Sequence, residues 1–475
     1  MRSDHFPEVA DRSLHRSEAP TVELPIQRRP HPDAASDLRS RSALSVEVTG
    51  GRLEARRDPR GTGPRLVGVD VARGIALLGM IAVHALVGIT DDGAPTTSYM
   101  TFGGRSAALF AVLTGVAFAF MTRRRRVRPG AEARAAAAAL GARACGLLLI
   151  GLALGWTDPE IAAVIMPYYA VMFVLAIPLV LLPTGILVGS AVLLVVGVPA
   201  LSQLIRPALP QPALTNPGFS DLFSDPLGLL SELTLTGAYP ALPWLAYLCV
   251  GIAVGRARLS SVRTALALLI GGTAAAVAAT ALSAWLLGPL GGYARIAAAT
   301  PAAELAEAPR VADFVAISPE GVTPTSTWWW LATVAPHSGT PLDLAQTIGS
   351  ALAVLGAALL LAHVGRPVAA RLLGHLLRPL AAAGSMTLTL YVLSLLFMNS
   401  PLDEFEALPG YLFQIVMAMT IAVVWRKAVG RGPLEAALSI LATAAGNRVR
   451  RDAGDGDPTA RARASAAAHE RGPTS

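Results

Sequence analysis

The sequence predicts an all-α polytopic membrane protein of about ten transmembrane helices, with disordered cytoplasmic tails at both ends. Hydrophobic residues make up 53% of the 475 residues and charged residues only 15%, and the mean hydropathy is positive. A soluble protein carries roughly 25% charged residues. Such a deficit is expected when much of the surface faces lipid, where charge is costly. The apolar residues also form long runs separated by polar connections.

Both ends of the chain are polar and lack a sustained apolar period. Residues 1–64 are rich in Arg, Pro, Asp and Ser, which predicts a disordered tail without the apolar core of a signal peptide. Residues 447–475 have the same character and predict a second tail. The membrane domain is therefore expected to occupy residues 65–446.

Ten apolar runs lie between the tails, and each approaches the roughly 20 residues that a helix needs to cross a bilayer. The predicted spans are Leu66–Ile89, Arg105–Met121, Ala137–Trp156, Ile161–Leu182, Gly185–Ile205, Tyr239–Val254, Val262–Leu287, Leu342–His363, Leu380–Met398 and Tyr411–Trp425. The run Pro433–Gly446 is short for a span and predicts an interfacial or re-entrant helix. It would be an eleventh span if it crosses the membrane.

Arginine is distributed unevenly between the two sides of the predicted spans. Counting from the N-terminal tail places the basic connections, such as residues 123–128, on the side of that tail, and the opposite connections are acidic. Cytoplasmic loops carry the excess of Lys and Arg, so the sequence predicts a multi-pass protein of the cell inner or plasma membrane with a cytoplasmic N terminus. Basic charge in this setting favours lipid headgroups rather than nucleic acid.

The first span carries three ionisable residues, Asp70, Arg73 and His84. Ionisable residues inside a membrane are functional candidates because burying them there is costly. The spacing of Arg73 and His84 places both on one helix face about 16.5 Å apart, and Asp70 is close enough to pair with Arg73. An Arg in the cytoplasmic half can hold the phosphates of an anionic donor, and a His nearer the external end can act as a general base.

Spacing alone leaves other interpretations open. Asp70 and Arg73 can form a topological anchor, with His84 a satisfied polar residue between helices. The same residues can line the substrate or proton pathway of a transporter or flippase. A structural or sensing protein without turnover is a third alternative. The transfer mechanism requires the polar stripe along the first helix to be a hydrated conduit between the two faces of the bilayer.

Several short motifs resemble those of membrane acyltransferases. Arg73 and His84, with ten residues between them, match the first-helix pattern of the acyltransferase type-three family. That resemblance implies an acyl-CoA donor in the cytoplasm and an extracytoplasmic acceptor, often a sugar. The membrane part is more similar to YeiB-like bacterial proteins and to the catalytic domain of heparan-α-glucosaminide N-acetyltransferase. The similar segments are 70–76, 104–115, 239–247, 336–343, 383–391 and 432–435.

One departure from this resemblance concerns the catalytic histidine. In the heparan-modifying enzyme the position that corresponds to His84 is Asn, and the active His lies in the luminal segment that follows. The corresponding segment here, Ala85–Tyr99, contains no His. Either His84 takes this role or the acetyl-transfer activity does not carry over. The heparan substrate itself is not carried over.

Four further residues are candidates for the site. Arg105 opens the second span after two glycines and is expected to bind the acceptor or stabilise an oxyanion, unless it is an interfacial residue. His337 lies in a turn-rich segment before the eighth span and is a second candidate base or acceptor ligand. Arg123 and Arg124 lie where the headgroup of an acyl-CoA would arrive and are expected to steer it, besides setting topology.

These assignments imply acyl-CoA, most simply acetyl-CoA, as the donor. The sequence holds no P-loop and no metal-ligand cluster, so no metal is expected. The partners implied are membrane lipids and an extracytoplasmic small molecule or glycan, and a homodimer is compatible with the sequence. The run Trp328–Trp330 predicts an interfacial anchor, with a sugar-stacking platform as the alternative. Tyr168 and Tyr169 are expected to pack in the core.

Overall fold

A computed structural model describes residues 66–210, 212–213, 215–363, 374 and 377–455. The predicted first tail and residues 456–475 of the predicted second tail lie outside the described residues. Within the described ranges the regular structure is helical, apart from an isolated β-bridge between Ile89 and Pro95. The prediction of an all-α protein is confirmed.

The chain forms helices of very different lengths. The α-helices are α1 Val67–Ala85, α2 Thr97–Phe102, α3 Arg105–Met121, α4 Ala131–Ala153, α5 Met166–Leu175, α6 Thr184–Ile205, α7 Phe219–Ser224, α8 Pro226–Ser231, α9 Ala241–Arg256, α10 Val262–Leu287, α11 Gly292–Ala298, α12 Ala302–Leu305, α13 Val311–Ile317, α14 Pro341–Leu361, α15 Thr387–Met398, α16 Ala407–Ala428 and α17 Pro433–Asp455. Short 3₁₀ helices cover Leu179–Leu181, Arg206–Ala208 and Trp328–Ala332, and a π-helical turn covers Glu232–Thr236.

Seven helices in the described part of the chain are long and apolar enough to cross a membrane, or up to nine if each of two bent pairs is one span. The seven are α1, Thr97–Met121, α4, Thr184–Ala208, α10, α14 and α16. One bent pair joins Pro226–Thr236 to α9 at 51°, and the other joins Leu377–Ala383 to α15 at 80°. The chain is therefore a multi-pass membrane protein, with fewer spans than the predicted ten by these criteria.

The predicted span Ile161–Leu182 is not one continuous helix. Within it, α5 covers only ten residues. Pro167 lies in the first turn of α5, where a missing N–H is tolerated. Pro178 follows the end of α5, because a helix usually stops before the residue that precedes a proline. The prediction of a full-length span was wrong here because the apolar run contains two prolines.

The helix predicted at Pro433–Gly446 is longer than predicted, while its interfacial position stays a prediction. Helix α17 has 23 residues and continues to Asp455, into the segment predicted as the second tail. It packs along α4, where a Cβ on Gly146 would collide with Leu438. Leu438, Ala442 and Gly446, each about one turn apart, are the buried residues of this helix among those described. Packing of this apolar stripe against α4 explains why the polar second half stays helical.

Close backbone contacts hold pairs of helices in the bundle together. Helices α3 and α9 approach so closely at Gly251 that a Cβ there would collide with the carbonyl of Val112. Helices α10 and α14 meet at Gly349, where a Cβ would lie 2.6 Å from the backbone N of Ala276. Small residues at such contacts are typical of helix packing in membranes. By contrast, only 17% of the apolar windows of α6 and α10 are buried, as expected for lipid-facing helices.

Candidate functional site

The loops and helix ends form two groups, which define two faces of the bundle. The His84 face consists of residues 86–104, 157–165, 202–210, 215–240 and 318–340, which are joined by hydrogen bonds between these segments. The Arg73 face lies at the opposite ends of α1 and α3 and includes residues 122–130 and 180–184. Helix α1 therefore carries Arg73 toward one face and His84 toward the other.

His84 is oriented by a carbonyl group on the His84 face. Its Nδ1 lies 3.2 Å from the carbonyl oxygen of Ile161. A carbonyl oxygen only accepts, so Nδ1 carries the proton and Nε2 is left with a lone pair in the neutral ring. The ring of Tyr391 lies 6.4 Å away between centroids, and its buried hydroxyl has no hydrogen-bond partner among the described residues. The tautomer suits a general base acting through Nε2.

His337 has the opposite tautomer. Its Nε2 accepts a hydrogen bond of 3.1 Å from the backbone N–H of Gly104, so the neutral ring carries its proton on Nδ1. Burial lowers the pKa of His337 to about 4, which favours this neutral form. The backbone of His337 is left-handed, with φ at +57°. This conformation turns its side chain into a cap for the first turn of α3.

Arg105 lies beside that cap and binds the preceding helix. Its Nη1 donates to the carbonyl of Met100 and, at 3.5 Å, to that of Thr101. Carbonyls at a helix C terminus lack helical partners and attract a cation, so Arg105 stabilises the end of α2. Arg105 also interacts electrostatically with Asp343 across the site.

Asp343, in the first turn of α14, borders a cavity of about 10 Å³, enough for one water molecule. Its Oδ2 accepts from the N–H of Gly339 at 3.0 Å. The carboxyl group also interacts with the hydroxyl of Ser338, but its buried Oδ1 forms no well-aligned hydrogen bond in the part of the chain that the structure describes. Trp244, Tyr247 and His337 line the same cavity. Because an unpaired buried carboxylate oxygen is costly, this oxygen is a candidate for contact with a ligand or a bound water.

An aromatic cluster centred on Tyr239 surrounds the cavity. The ring of Tyr239 meets those of Tyr168, Trp244 and His337 edge-on, with centroids 5.3 to 5.7 Å apart. Tyr168 does more than pack in the core as predicted, since its hydroxyl donates to Glu232 at 3.1 Å. Glu232 is buried in the π-helical turn, a type of distortion that is frequent at functional sites.

On the Arg73 face, Asp70 and Arg73 pair as predicted. Arg73 Nη1 lies 3.8 Å from Asp70 Oδ1. Arg143, halfway along α4, interacts electrostatically with Arg73 and with Arg431, which precedes α17. The Nε of Arg143 is buried without a hydrogen-bond partner among the described residues. Guanidinium groups that repel one another favour the binding of an anion at this position.

The side of α1 between these two sites is closed. Ala76, Leu77 and Met80 lie between Arg73 and His84 on the same side of the helix, and each is at most 5% exposed. The hydrated conduit that the transfer mechanism requires is therefore not open along α1 in this structure. The centre of α1 is sealed because α3, α14, α15 and α16 all pack against it.

Comparison with protein families identifies the first half of the membrane part. The family model described as "Heparan-alpha-glucosaminide N-acetyltransferase, catalytic" matches residues 65–287. Residues 65–287 are therefore similar to the catalytic domain of this family. No curated protein gives a significant match to the chain. The family match confirms the resemblance inferred from the motifs and indicates a membrane acetyltransferase, a class that generally uses donors of the acetyl-CoA type. The likeness to YeiB-like proteins stays a prediction.

The acetyltransferase domain contains some of the predicted site residues and lacks others. Asp70, Arg73, His84, Arg105, Arg123 and Arg124 lie inside residues 65–287. His337 lies outside the matched residues but contacts them through Gly104. The structure therefore brings His84, Arg105 and His337 to one face, whereas Asp70 and Arg73 lie toward the other.

Arg123 and Arg124 end α3 of the acetyltransferase domain on the Arg73 face. Both have left-handed backbones, with φ at +53° and +59°. The N–H of Arg124 donates to the carbonyl of Ala119 at 2.6 Å, and its guanidinium lies 4.8 Å from the ring centre of Phe120. This geometry is a helix C-cap. Arg123 is exposed, so its side chain is available to an anion that approaches this face.

The break before α15 packs against α1 of the acetyltransferase domain. Gly384, in the break, lies so close to the carbonyl of Asp70 that a Cβ would collide. Glu435 of α17 accepts hydrogen bonds from the N–H groups of Leu388 and Thr389, at 2.7 and 3.1 Å. A carboxylate at this position accepts from the free N–H groups and interacts favourably with the positive end of the helix dipole. Two of the similar segments, 383–391 and 432–435, are therefore in contact.

Sequence reasoning missed several residues that the structure places at the site. Arg143 lies within a predicted span, and an intramembrane arginine is a signal that was available. Asp343 lies in the similar segment 336–343, but the environment of its Oδ1 depends on how the loop folds, which the sequence does not show. Tyr391 and Glu435 end the similar segments 383–391 and 432–435, but the sequence did not indicate the contacts that either residue makes. In the described residues, no group of three or more His, Cys, Asp or Glu side chains is arranged to hold a metal ion.

Proposed function

We propose that the protein is a membrane acyltransferase that moves an acyl group, most simply acetyl, from cytoplasmic acyl-CoA to an extracytoplasmic acceptor such as a sugar or a cell-envelope glycan. The observation that carries this proposal is the tautomer of His84. The carbonyl of Ile161 keeps the proton on Nδ1, so Nε2 is a free base at the end of α1 within an acetyltransferase domain. Acyl-CoA would supply the activated acyl group.

The orientation in the membrane follows from charge. The Arg73 face, with Arg123 and Arg124, carries the basic connections, and we propose that it is cytoplasmic together with the N-terminal tail. The His84 face is then external. We assign the protein to the cell inner or plasma membrane on the same grounds. We also propose that the membrane domain extends over residues 65–446 and includes α14 to α16 besides the matched segment.

The donor's phosphates would bind on the Arg73 face. Arg73 offers a guanidinium fork, and Asp70 fixes its orientation from one turn away. The orphaned Nε of Arg143 fits a phosphate oxygen, because it needs an acceptor that the described residues do not provide. Arg123 and Arg124 would steer the headgroup toward this position.

The acceptor would bind on the His84 face. His84 Nε2 would take the proton from the acceptor's hydroxyl or amine as that group attacks the thioester carbonyl. The acyl C–S bond would then break, and CoA would leave as the thiolate and take up a proton on release. Arg105 and His337, which the sequence suggested as catalytic residues, are better explained as positioning residues, because their hydrogen bonds to Met100 and Gly104 hold the ends of α2 and α3. The assignment of His84 as the base also accounts for the departure from the family pattern. His84 would take the role of the histidine that the following segment, Ala85–Tyr99, lacks.

Transfer requires a conformational step, because the apolar residues of α1 separate the two sites. The element suited to this step is the bent pair Leu377–Ala383 and α15. It turns by 80° next to Asp70, and α15 carries Tyr391 beside His84. A hinge of this kind contacts both sites at once. Movement of this hinge would open a route for the acyl group past the packed centre of α1.

The experiment is an assay of thiol release from acetyl-CoA by the reconstituted full chain. A Cys145→Ala background removes the exposed protein thiol, while Cys249 is buried. We expect His84→Gln to lower turnover about 10²- to 10⁴-fold, the range for loss of a general base, with acetyl-CoA binding unchanged. His363→Gln is the control, because His363 binds the carbonyls of Leu359 and Ser260 on the opposite face.

Two outcomes would contradict the proposal. Equal turnover in wild type and His84→Gln would show that His84 is not the base. Solute movement into vesicles without acetyl-CoA binding would support the transporter alternative.

A further inference from the structure

The three tryptophans of the run Trp328–Trp330 have three different environments. Trp330 is fully buried, and its Nε1 donates to Ser326 at 3.1 Å. The guanidinium carbon of Arg295 lies over the ring of Trp329, 4.6 Å from the ring centre. Trp328 is 53% exposed. The run is therefore anchored at its third residue and presents its first two residues at the surface.

The surface beside Trp328 is an apolar groove of about 360 Å³. We define the tryptophan groove by its lining residues, which are Leu286, Trp328, Trp329, Leu331, Ala332 and Leu342. Every lining side chain is apolar or aromatic. Leu286 ends the candidate span α10 and Leu342 begins the candidate span α14. The groove therefore lies where the hydrocarbon core ends on the His84 face, at the level of an aromatic belt.

The tryptophan groove is held open by bonds to the backbone behind it. Gln203 of α6 donates to the carbonyls of Pro324 and Thr327, at 3.2 and 3.3 Å. Arg206 donates to the carbonyl of Thr323 at 2.6 Å. These bonds fix the segment that enters the 3₁₀ helix Trp328–Ala332. A groove formed in advance binds a chain at a lower entropic cost than one that must be created.

Charge at the rim selects the headgroup. Arg295 is exposed, and no described residue forms an ion pair with it. The neighbouring acid Asp313 is already engaged by Arg310, with N to O distances of 2.7 and 2.8 Å. A guanidinium held flat on Trp329 can bind a phosphate through two N–H groups. The rim thus offers positive charge directly above an apolar groove.

We propose that the tryptophan groove binds one hydrocarbon chain of an anionic phospholipid from the leaflet on the His84 face, with Arg295 paired to the lipid phosphate. The apolar lining explains the chain, the position at the membrane boundary explains access, and Arg295 explains the phosphate. A soluble sugar stacked on Trp328 would find no hydrogen-bonding side chain in this groove. The proposal does not depend on acyl transfer.

The test is photo-crosslinking of the full chain in phosphatidylcholine vesicles. The probe is either phosphatidylglycerol or phosphatidylcholine with a diazirine in one acyl chain, and the adducts are mapped by peptide mass spectrometry. We expect phosphatidylglycerol to label residues 328–332 several-fold more than phosphatidylcholine, because its net charge leaves the phosphate free for Arg295. Arg295→Gln should abolish this preference, and Trp328→Ala should reduce labelling by both lipids.

Two matched variants serve as controls. Trp285→Ala removes a tryptophan that is also 53% exposed and lies near the end of α10, but that does not line the groove. Arg310→Gln removes an arginine that lies on the same face but is already paired with Asp313. Neither should change the labelling of residues 328–332. Equal labelling by both lipids in the wild type, or a preference that survives Arg295→Gln, would overturn the proposal. Displacement of the label by a soluble sugar, or by a second copy of the chain, would overturn it as well.

Discussion

The two histidines on the His84 face show how one hydrogen bond decides the chemistry of an imidazole. His84 donates through Nδ1 to a carbonyl, which leaves Nε2 basic. His337 accepts through Nε2 from an N–H, which uses the lone pair that a base needs. The sequence offers both as candidate bases, and the contacts with Ile161 and Gly104 separate them. The distinction arises because a carbonyl only accepts a hydrogen bond and an amide N–H only donates one.

The neutral state of His337 predicts a loss of stability in acid. Burial lowers its pKa from about 6.5 to about 4, so the unfolded chain binds a proton more readily than the folded protein between these values. The stability of the wild type should be complete above about pH 6.5 and fall as the pH drops toward 4. In His337→Gln, whose amide oxygen can still accept from Gly104, part of this fall should disappear. Melting temperature against pH is the measurement, and parallel curves would refute the assignment.

Substitution of Asp343 should affect activity more than stability. Asp343→Asn keeps an acceptor for the N–H of Gly339, so the free energy of unfolding should change by less than about 1 kcal/mol. Replacement of the carboxyl oxygen Oδ1 by an amide NH2 removes an acceptor from the cavity and should raise the acceptor substrate's KM by roughly tenfold, equivalent to about 1.4 kcal/mol. Steady-state kinetics and chemical denaturation measure the two effects. Asp313→Asn is the control, since Asp313 is buried to the same 4% but pairs with Arg310 away from the cavity.

At the scale of elements, the least regular helices lie closest to the site. The π-helical turn Glu232–Thr236, the bend before α9 and the break before α15 all face α1 or the aromatic cluster around Tyr239. Each interruption leaves backbone groups that need partners. Side chains from other helices supply some of them, as Glu435 does for α15. Irregularity is therefore stabilised by tertiary contacts that local sequence does not reveal.

Glu435 predicts a measurable cost for removing the cap of α15. Glu435→Ala leaves the N–H groups of Leu388 and Thr389 without their acceptor and should lower the free energy of unfolding by about 2 kcal/mol. Proteolysis at residues 384–386 should also become faster. Glu132→Ala is the matched control, because the carboxylate of Glu132 accepts only one long bond of 3.3 Å, from Arg128, at an exposed position. Equal effects of the two substitutions would contradict the capping role.

For the whole molecule, the sequence predicts the long helices well and the contacts between them poorly. Val262–Leu287 and Arg105–Met121 were predicted with the bounds that α10 and α3 have, because unbroken apolar runs specify membrane helices directly. Ile161–Leu182 failed because prolines interrupt the run. The bond from His84 to Ile161 joins residues 77 positions apart, and no local pattern encodes such a contact. The family and the face of α1 were thus predictable, whereas the tautomer of His84 was not.

The orientation of the molecule is testable with single cysteines. In a background without Cys145 and Cys249, Glu404→Cys lies between α15 and α16, and Arg258→Cys lies between α9 and α10, both at exposed positions. An impermeant thiol reagent added to intact cells should label the first and not the second, because the basic connections stay in the cytoplasm. The reverse pattern would invert the proposed orientation.

The bonds from Gln203 and Arg206 end on main-chain oxygens of residues 323–327, and every amino acid supplies such an oxygen. Side chains in this stretch can therefore be exchanged while its course over the protein stays the same. A change of acceptor would therefore require few substitutions in residues 323–327. The helices beneath this segment would keep the same catalytic geometry while the side chains of residues 323–327 change.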